Sequence, residues 1–194
     1  MKLLKFFLGV FVCLAMNAVP AIAFGEGIKV RQVQVESADS NLVVNASFQI
    51  DLPPELGDAV RKGVPFHFLA ELNITRGRWY WFDEKTVKVQ KDIRLSYQPL
   101  TQQYKVSGGG LTLSASTLNE ALIQLGSIAG WQVSESNSLD AGQTYQGEIR
   151  LRLDLAQLPK PFQINALNAR DWNLSSDWQK FTIYVNPKQA NASK

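Results

Sequence analysis

Leu42-Val43-Val44-Asn45-Ala46-Ser47-Phe48-Gln49-Ile50-Asp51-Leu52 sets an apolar side chain at every second position, with Val43, Asn45, Ser47, Gln49 and Asp51 between. Successive strand side chains point to opposite faces, so a period of two describes a half-buried strand with a well-specified register. The pattern recurs at Val64, Phe66, Phe68, Ala70, Leu72 and Ile74, with His67, Glu71, Asn73 and Thr75 on the other face. It recurs again at Ile149, Leu151, Leu153 and Leu155, alternating with Glu148, Arg150, Arg152 and Asp154. Three strands of this clarity make the chain mainly β.

Weaker strand patterns run over 28–35, from Thr86 through Ile93, Leu95 and Tyr97, over 104–106, and from Trp178 through Phe181 and Ile183 to Val185. Gln98-Pro99-Leu100-Thr101 predicts a hairpin link, and Ser107-Gly108-Gly109-Gly110 a flexible break. About seven strands at short spacing predict an antiparallel β-sandwich or an open barrel, and an immunoglobulin-like arrangement fits that count. One or two short amphipathic helices accompany them. Thr117 and Glu120 have capping-box spacing, and Leu118, Ala121, Leu122 and Leu125 follow as one apolar stripe. A second helix is predicted over about 53–62, with prolines in its first turn, Leu56, Ala59 and Val60 on one side, and Arg61, Lys62 and Gly63 at its end. Gly126-Ser127-Ile128-Ala129-Gly130 reads as a helix C-cap followed by a turn.

At the N-terminus, Lys2 and Lys5 precede an apolar run from Phe6 to Met16, then Pro20 and Ala21-Ile22-Ala23. That arrangement predicts a secretory signal peptide over 1–23, cleaved after Ala23, and hence a periplasmic protein. The run is much shorter than the roughly 20 residues that cross a bilayer, so no stable membrane span is expected after cleavage. Removing 23 of 194 residues leaves 171, which suits a single β-rich domain over 24–186 with a flexible tail over 187–194. Lys2 and Lys5 leave with the signal, which brings Lys+Arg from 20 to 18 against 17 acids. A charge so near neutrality implies no electrostatic pull toward nucleic acid.

Cys13 is the only cysteine and lies within the expected signal, so the mature domain is expected to hold no disulfide and no thiol nucleophile. With His67 the only histidine, no metal centre built on two histidines or on thiolates is expected. The Gly126-to-Gly130 segment spaces its glycines wrongly for a serine-hydrolase elbow, and Gly108-Gly109-Gly110 lacks the lysine and Ser/Thr of a phosphate loop. No catalytic, cofactor-binding or metal residue is therefore assigned. Paired carboxylates are brought together by a fold rather than by local spacing, which keeps a polysaccharide hydrolase as an alternative, with Asp83, Glu84, Asp171 and Asp177 as its acids.

The most individual segment is Arg76-Gly77-Arg78-Trp79-Tyr80-Trp81-Phe82-Asp83-Glu84-Lys85, four aromatic rings in succession between charged ends. Trp79 and Trp81 would share a strand face, and Arg76 and Arg78, with Lys85, Lys88, Lys91 and Arg94 further on, would grip an acidic partner. The competing reading buries the aromatics on both faces of a strand, with arginine stems along the rim. A second cluster, Asp171-Trp172 to Asp177-Trp178, has the same two readings. Arg76, Arg78, Trp79, Trp81, Trp172 and Trp178 form the candidate interaction surface.

The chain resembles the DUF4390 family, proteobacterial exported proteins of unknown function, some labelled proline-rich signal peptide proteins. The resemblance rests on Gly63-Val64-Pro65-Phe66, on the 76–85 segment, on Arg94-Leu95-Ser96-Tyr97-Gln98-Pro99-Leu100-Thr101 and on Tyr104-Lys105-Val106-Ser107. It extends to Thr117-Leu118-Asn119-Glu120-Ala121-Leu122, Leu158-Pro159-Lys160-Pro161-Phe162 and the Asp171-to-Trp178 cluster. It implies a Gram-negative envelope protein with no catalytic residues to carry over, and a membrane sensor kinase or other envelope protein as partner. Eight prolines in 194 residues do not fit the proline-rich label. The expected function is a non-catalytic periplasmic binding or protein-interaction module; a structural envelope protein is the third possibility.

Overall fold

The computed structural model describes residues 27–38, 41–76, 84–133, 139–140, 142–168 and 170–185. The expected signal peptide and tail lie outside the described residues. Nine strands form two antiparallel sheets. The smaller holds β1 (Gly27–Ala38), β2 (Asn41–Asp51) and β7 (Ser127–Val133), in the order β1-β2-β7. The larger holds β3 (Phe66–Arg76), β4 (Glu84–Gln98), β5 (Gln103–Gly108), β6 (Leu111–Ala115), β8 (Thr144–Leu153) and β9 (Gln179–Tyr184), in the order β6-β5-β4-β3-β8-β9. Three α-helices, α1 (Pro54–Arg61), α2 (Leu118–Gly126) and α3 (Lys160–Asn168), and two single-turn 3-10 helices, Leu155–Gln157 and Arg170–Trp172, complete the described elements.

Alternation decides which faces meet. Leu42, Val44, Ala46, Phe48 and Ile50 of β2 are all buried, as are Phe66, Phe68, Ala70, Leu72 and Ile74 of β3 and Ile149, Leu151 and Leu153 of β8. These residues join one continuous core between the sheets, which makes the fold a sandwich rather than a closed barrel. The order is not the Greek key of immunoglobulin domains, because β3 to β6 run as a meander in a single sheet.

The helices close the sandwich. α2 has its stripe of Ala121, Leu122 and Leu125 buried and packs on β2, β5 and β6. Its first turn is held as the sequence predicts: the Glu120 amide donates to Thr117 Oγ1 at 3.1 Å, and the Ser116 amide to Glu120 Oε2 at 2.9 Å. Thr117→Ala should therefore cost about 1 kcal/mol in a urea titration; an unchanged midpoint would show that packing alone sets this helix start. α1 buries Leu56, Ala59 and Val60 and ends where Gly63 takes φ +89°. There the amides of Gly63 and Val64 return to the carbonyls of Val60 and Ala59 at 2.9 and 3.0 Å.

Four features differ from the sequence-based expectation. Gly109 and Gly110, at φ +59° and +83°, make a tight two-residue turn between β5 and β6 instead of a flexible break. Ser127 to Gly130, read as a cap and turn, opens β7. Its alternation is hidden by a bulge in which Ala129 and Gly130 oppose the single residue Asn45. Gly130 supplies φ +61°, and its amide donates to Asn45 Oδ1 at 2.8 Å. The helix α3 was concealed by Pro159 and Pro161, which are tolerated because they fall before and within its first turn, where no intrahelical amide bond is lost. The described residues hold nine strands where about seven were expected, the added ones being β6 and β7.

Candidate functional site

β3 lies at the centre of the large sheet between β4 and β8, and its register fixes what shares its outer face. Glu71 pairs with Gln90 on one side and Arg150 on the other, Asn73 with Lys88 and Glu148, and Leu69 with Asp92 and Arg152. Side chains directly opposite one another in a sheet point the same way, so these form a polar field facing away from the core.

At its centre Glu71 is buried, only 6 % exposed, although it projects from the outer face. Arg150 Nε donates to its Oε2, while Arg152 Nε and Gln90 Nε2 donate to Oε1 at 3.2 and 3.1 Å. The arginine stems cover the carboxylate while their guanidinium groups remain partly in water. Burial by itself would push the Glu71 carboxyl up. The hydrogen bond from Arg150 and the charges of Arg152 and Arg150 outweigh burial and hold it below its ordinary value.

The network spreads from this centre. The Arg150 guanidinium carbon lies 4.4 Å from the centre of the Trp178 ring, a cation–π stack. Arg152 Nη1 approaches Asp154 Oδ1 at 3.6 Å. Gln157 Nε2 donates to Asp154 Oδ2 at 2.9 Å and to Asp92 Oδ2 at 3.2 Å, and Asp92 also meets His67 Nδ1 at 3.2 Å. Asn73 Nδ2 donates to Glu148 Oε1 at 3.0 Å. His67 thus stands on the face opposite Phe66 and Phe68, as alternation predicts, and is half-buried against a carboxylate.

Of the six residues in the candidate surface read from the sequence, three are described: Arg76, Trp172 and Trp178. Arg78, Trp79 and Trp81 lie outside the described residues. Arg76, at the end of β3, donates from Nη1 to Asp140 Oδ2 at 2.9 Å. Trp172 belongs to the core: its ring meets Phe66 edge-on at 6.3 Å and Phe162 at 5.8 Å, so it offers nothing to a partner. Trp178 is half-buried and crosses to the outer face, because the chain from Leu174 to Ser176 runs as an irregular edge beside β8. There the Leu153 amide donates to the Leu174 carbonyl at 2.8 Å and the Ser176 amide to the Leu151 carbonyl at 2.9 Å. The basic strip along β4 divides as well: Lys88 and Arg94 take outer-face positions, whereas Lys91 stands opposite Ala70 on the inner face.

Glu71, Arg150, Arg152 and Gln90 were not singled out as site residues by sequence reasoning. The alternating patterns already assign Glu71, Arg150 and Arg152 to the polar sides of their strands. The missing datum was which strand pairs with which.

The family model described as Domain of unknown function (DUF4390) matches residues 25–182. The chain belongs to the DUF4390 family. The match spans every described strand up to Thr182 of β9, so the Glu71 network and Trp178 both fall inside the DUF4390 domain. No curated protein matches the chain, and no solved structure does.

Proposed function

We propose that this DUF4390 domain is a non-catalytic protein-interaction module of the bacterial cell envelope, working in the periplasm and presenting the outer face of its large sheet to a partner protein. The observation that carries this reading is the Trp178 indole stacked on an Arg150 guanidinium that Glu71 already holds in place. Tryptophan and arginine are the side chains that most often dominate protein interfaces, and a pair fixed before binding loses little entropy when a partner arrives. A broad sheet face carrying neutralised charges suits a macromolecule better than a small ligand, which needs concave enclosure. Family resemblance is the only ground for naming a sensor kinase or another envelope protein as that partner.

The test is capture from envelope extracts with the full chain. Trp178→Ala should lose the partner while its urea midpoint stays within about 1 kcal/mol of wild type, because the ring is only half-buried. The Arg78→Glu, Trp81→Ala double variant tests the 76–85 sequence segment in the same way. Equal partner sets from equally folded proteins would remove these surfaces from the proposal. The export proposal predicts a periplasmic product that begins at Phe24.

One observation favours the hydrolase alternative: Gln157 Nε2 donates to both Asp154 Oδ2, at 2.9 Å, and Asp92 Oδ2, at 3.2 Å, so the fold brings two carboxylates together as a glycosidase acid pair requires. These are not the acids the sequence suggested. Release of reducing ends from envelope polysaccharide, abolished by both Asp92→Asn and Asp154→Asn, would establish that reading over the interaction module.

A further inference from the structure

On the other side of the large sheet, the inner faces of β4, β5 and β6 diverge from α2 and β7 and leave a cavity of about 460 Å³, within the size range of small-molecule sites. Its walls are mainly apolar, with Ile93 and Val106 inside and Leu111, Leu113 and Ile123 at the mouth. Those three are 62 %, 40 % and 65 % exposed, so half of the large apolar side chains left in water among the described residues surround this one opening. A single charged residue lines it, Lys91. Lys91 occupies a core-facing register position between Val89 and Ile93, and its ammonium reaches the β5–β6 turn, 3.7 Å from where a Cβ on Gly109 would stand. Among the described residues no carboxylate pairs with it.

We propose that this cavity binds one molecule of an anionic amphiphile, a monomeric fatty carboxylate, with its hydrocarbon tail between the sheets and its carboxylate on the Lys91 ammonium. The tail takes Leu111, Leu113 and Ile123 out of water, the largest favourable change open to this part of the surface. The head supplies the counter-charge that an inward-facing lysine lacks, in surroundings that strengthen an ion pair relative to bulk water. The single cation selects a singly charged head, and the finite cavity selects one chain rather than a bilayer. The site lies on the opposite side of the large sheet from Trp178, so this proposal and the interaction module can fail independently.

Isothermal titration of the full chain with sodium dodecanoate below its micelle concentration should show one site. Dodecyltrimethylammonium, with the same tail and the opposite charge, should bind at least about tenfold more weakly. Lys91→Glu, with folding checked by circular dichroism, should weaken dodecanoate by about tenfold or more and narrow or reverse the preference between the two heads. Leu113→Ser should weaken both. Absence of dodecanoate binding, equal affinity for the two amphiphiles, or capture only by phosphatidylglycerol vesicles in a flotation assay would each overturn the proposal. If Lys91→Glu does not fold, the comparison of the two amphiphiles on the unaltered chain decides the question alone.

Discussion

Gly126→Ala is expected to leave the domain unfolded, or to lower its stability by more than about 3 kcal/mol, at the upper end of what overpacking costs. A Cβ at this last residue of α2 would lie 2.2 Å from the backbone oxygen of Phe48 and 3.2 Å from its carbonyl carbon. Neither atom can swing aside as a side chain does. Relief requires α2 to lift from β2, which would open the core around Leu122, Leu125 and Phe48. Gly147→Ala is the internal comparison. Its Cβ would be as crowded, at 2.4 Å, but by the ring of Phe181 on the edge strand β9, which is half-buried and can rotate outward. The second substitution should cost no more than about half the first. Urea titrations of both variants test this, and a Gly126→Ala protein as stable as Gly147→Ala would show that α2 is not seated as described.

Glu71→Gln is expected to destabilise the domain by about 2–3 kcal/mol at pH 7. Breaking a fully buried ion pair costs about 3–5 kcal/mol, and the partial exposure of both arginines lowers the figure here. The amide still accepts a hydrogen bond, but it leaves the two guanidinium groups side by side without the carboxylate they share, and among the described residues only Arg152 keeps another acid, Asp154, nearby. The pH dependence follows from the depressed carboxyl. Its contribution is present in full above the ordinary carboxyl value and is lost as pH falls through the lower folded value. The gap between wild type and Glu71→Gln should therefore be constant near neutrality and close in acid. A gap that stays open at low pH would mean that the carboxylate charge is not what holds the arginines. Because Arg150 carries Trp178, the same variant should also weaken partner capture, whereas Thr117→Ala, which destabilises the domain at a place remote from this face, should not.

Much of this arrangement is legible in the sequence because alternation is a local property. Each of β2, β3 and β8 announces its core face through its own residues, and Thr117 with Glu120 announces the start of α2. The losses have local causes too. The bulge at Ala129 and Gly130 breaks the period of β7, and Pro159 and Pro161 resemble helix breakers unless the first turn is located. The C-terminal aromatic cluster was opaque for another reason. Trp172 and Trp178 sit six residues apart on a segment with no regular period, and only the path of the chain beside β8 puts one in the core and the other on the outer face.

The sequence by itself determined the mainly β class, the inward and outward sides of the long strands, the caps of α1 and α2, and the polarity of the positions held by Glu71, Arg150 and Arg152. Tertiary structure alone decided that Glu71 meets arginines 79 and 81 residues away, that Asp92 and Asp154 share Gln157, and that Lys91 faces an apolar cavity. The physical reason is that a strand's two faces follow from bond geometry within a few residues. Its neighbours are chosen by which distant surfaces bury best together, and that competition is settled only when the whole sheet has formed.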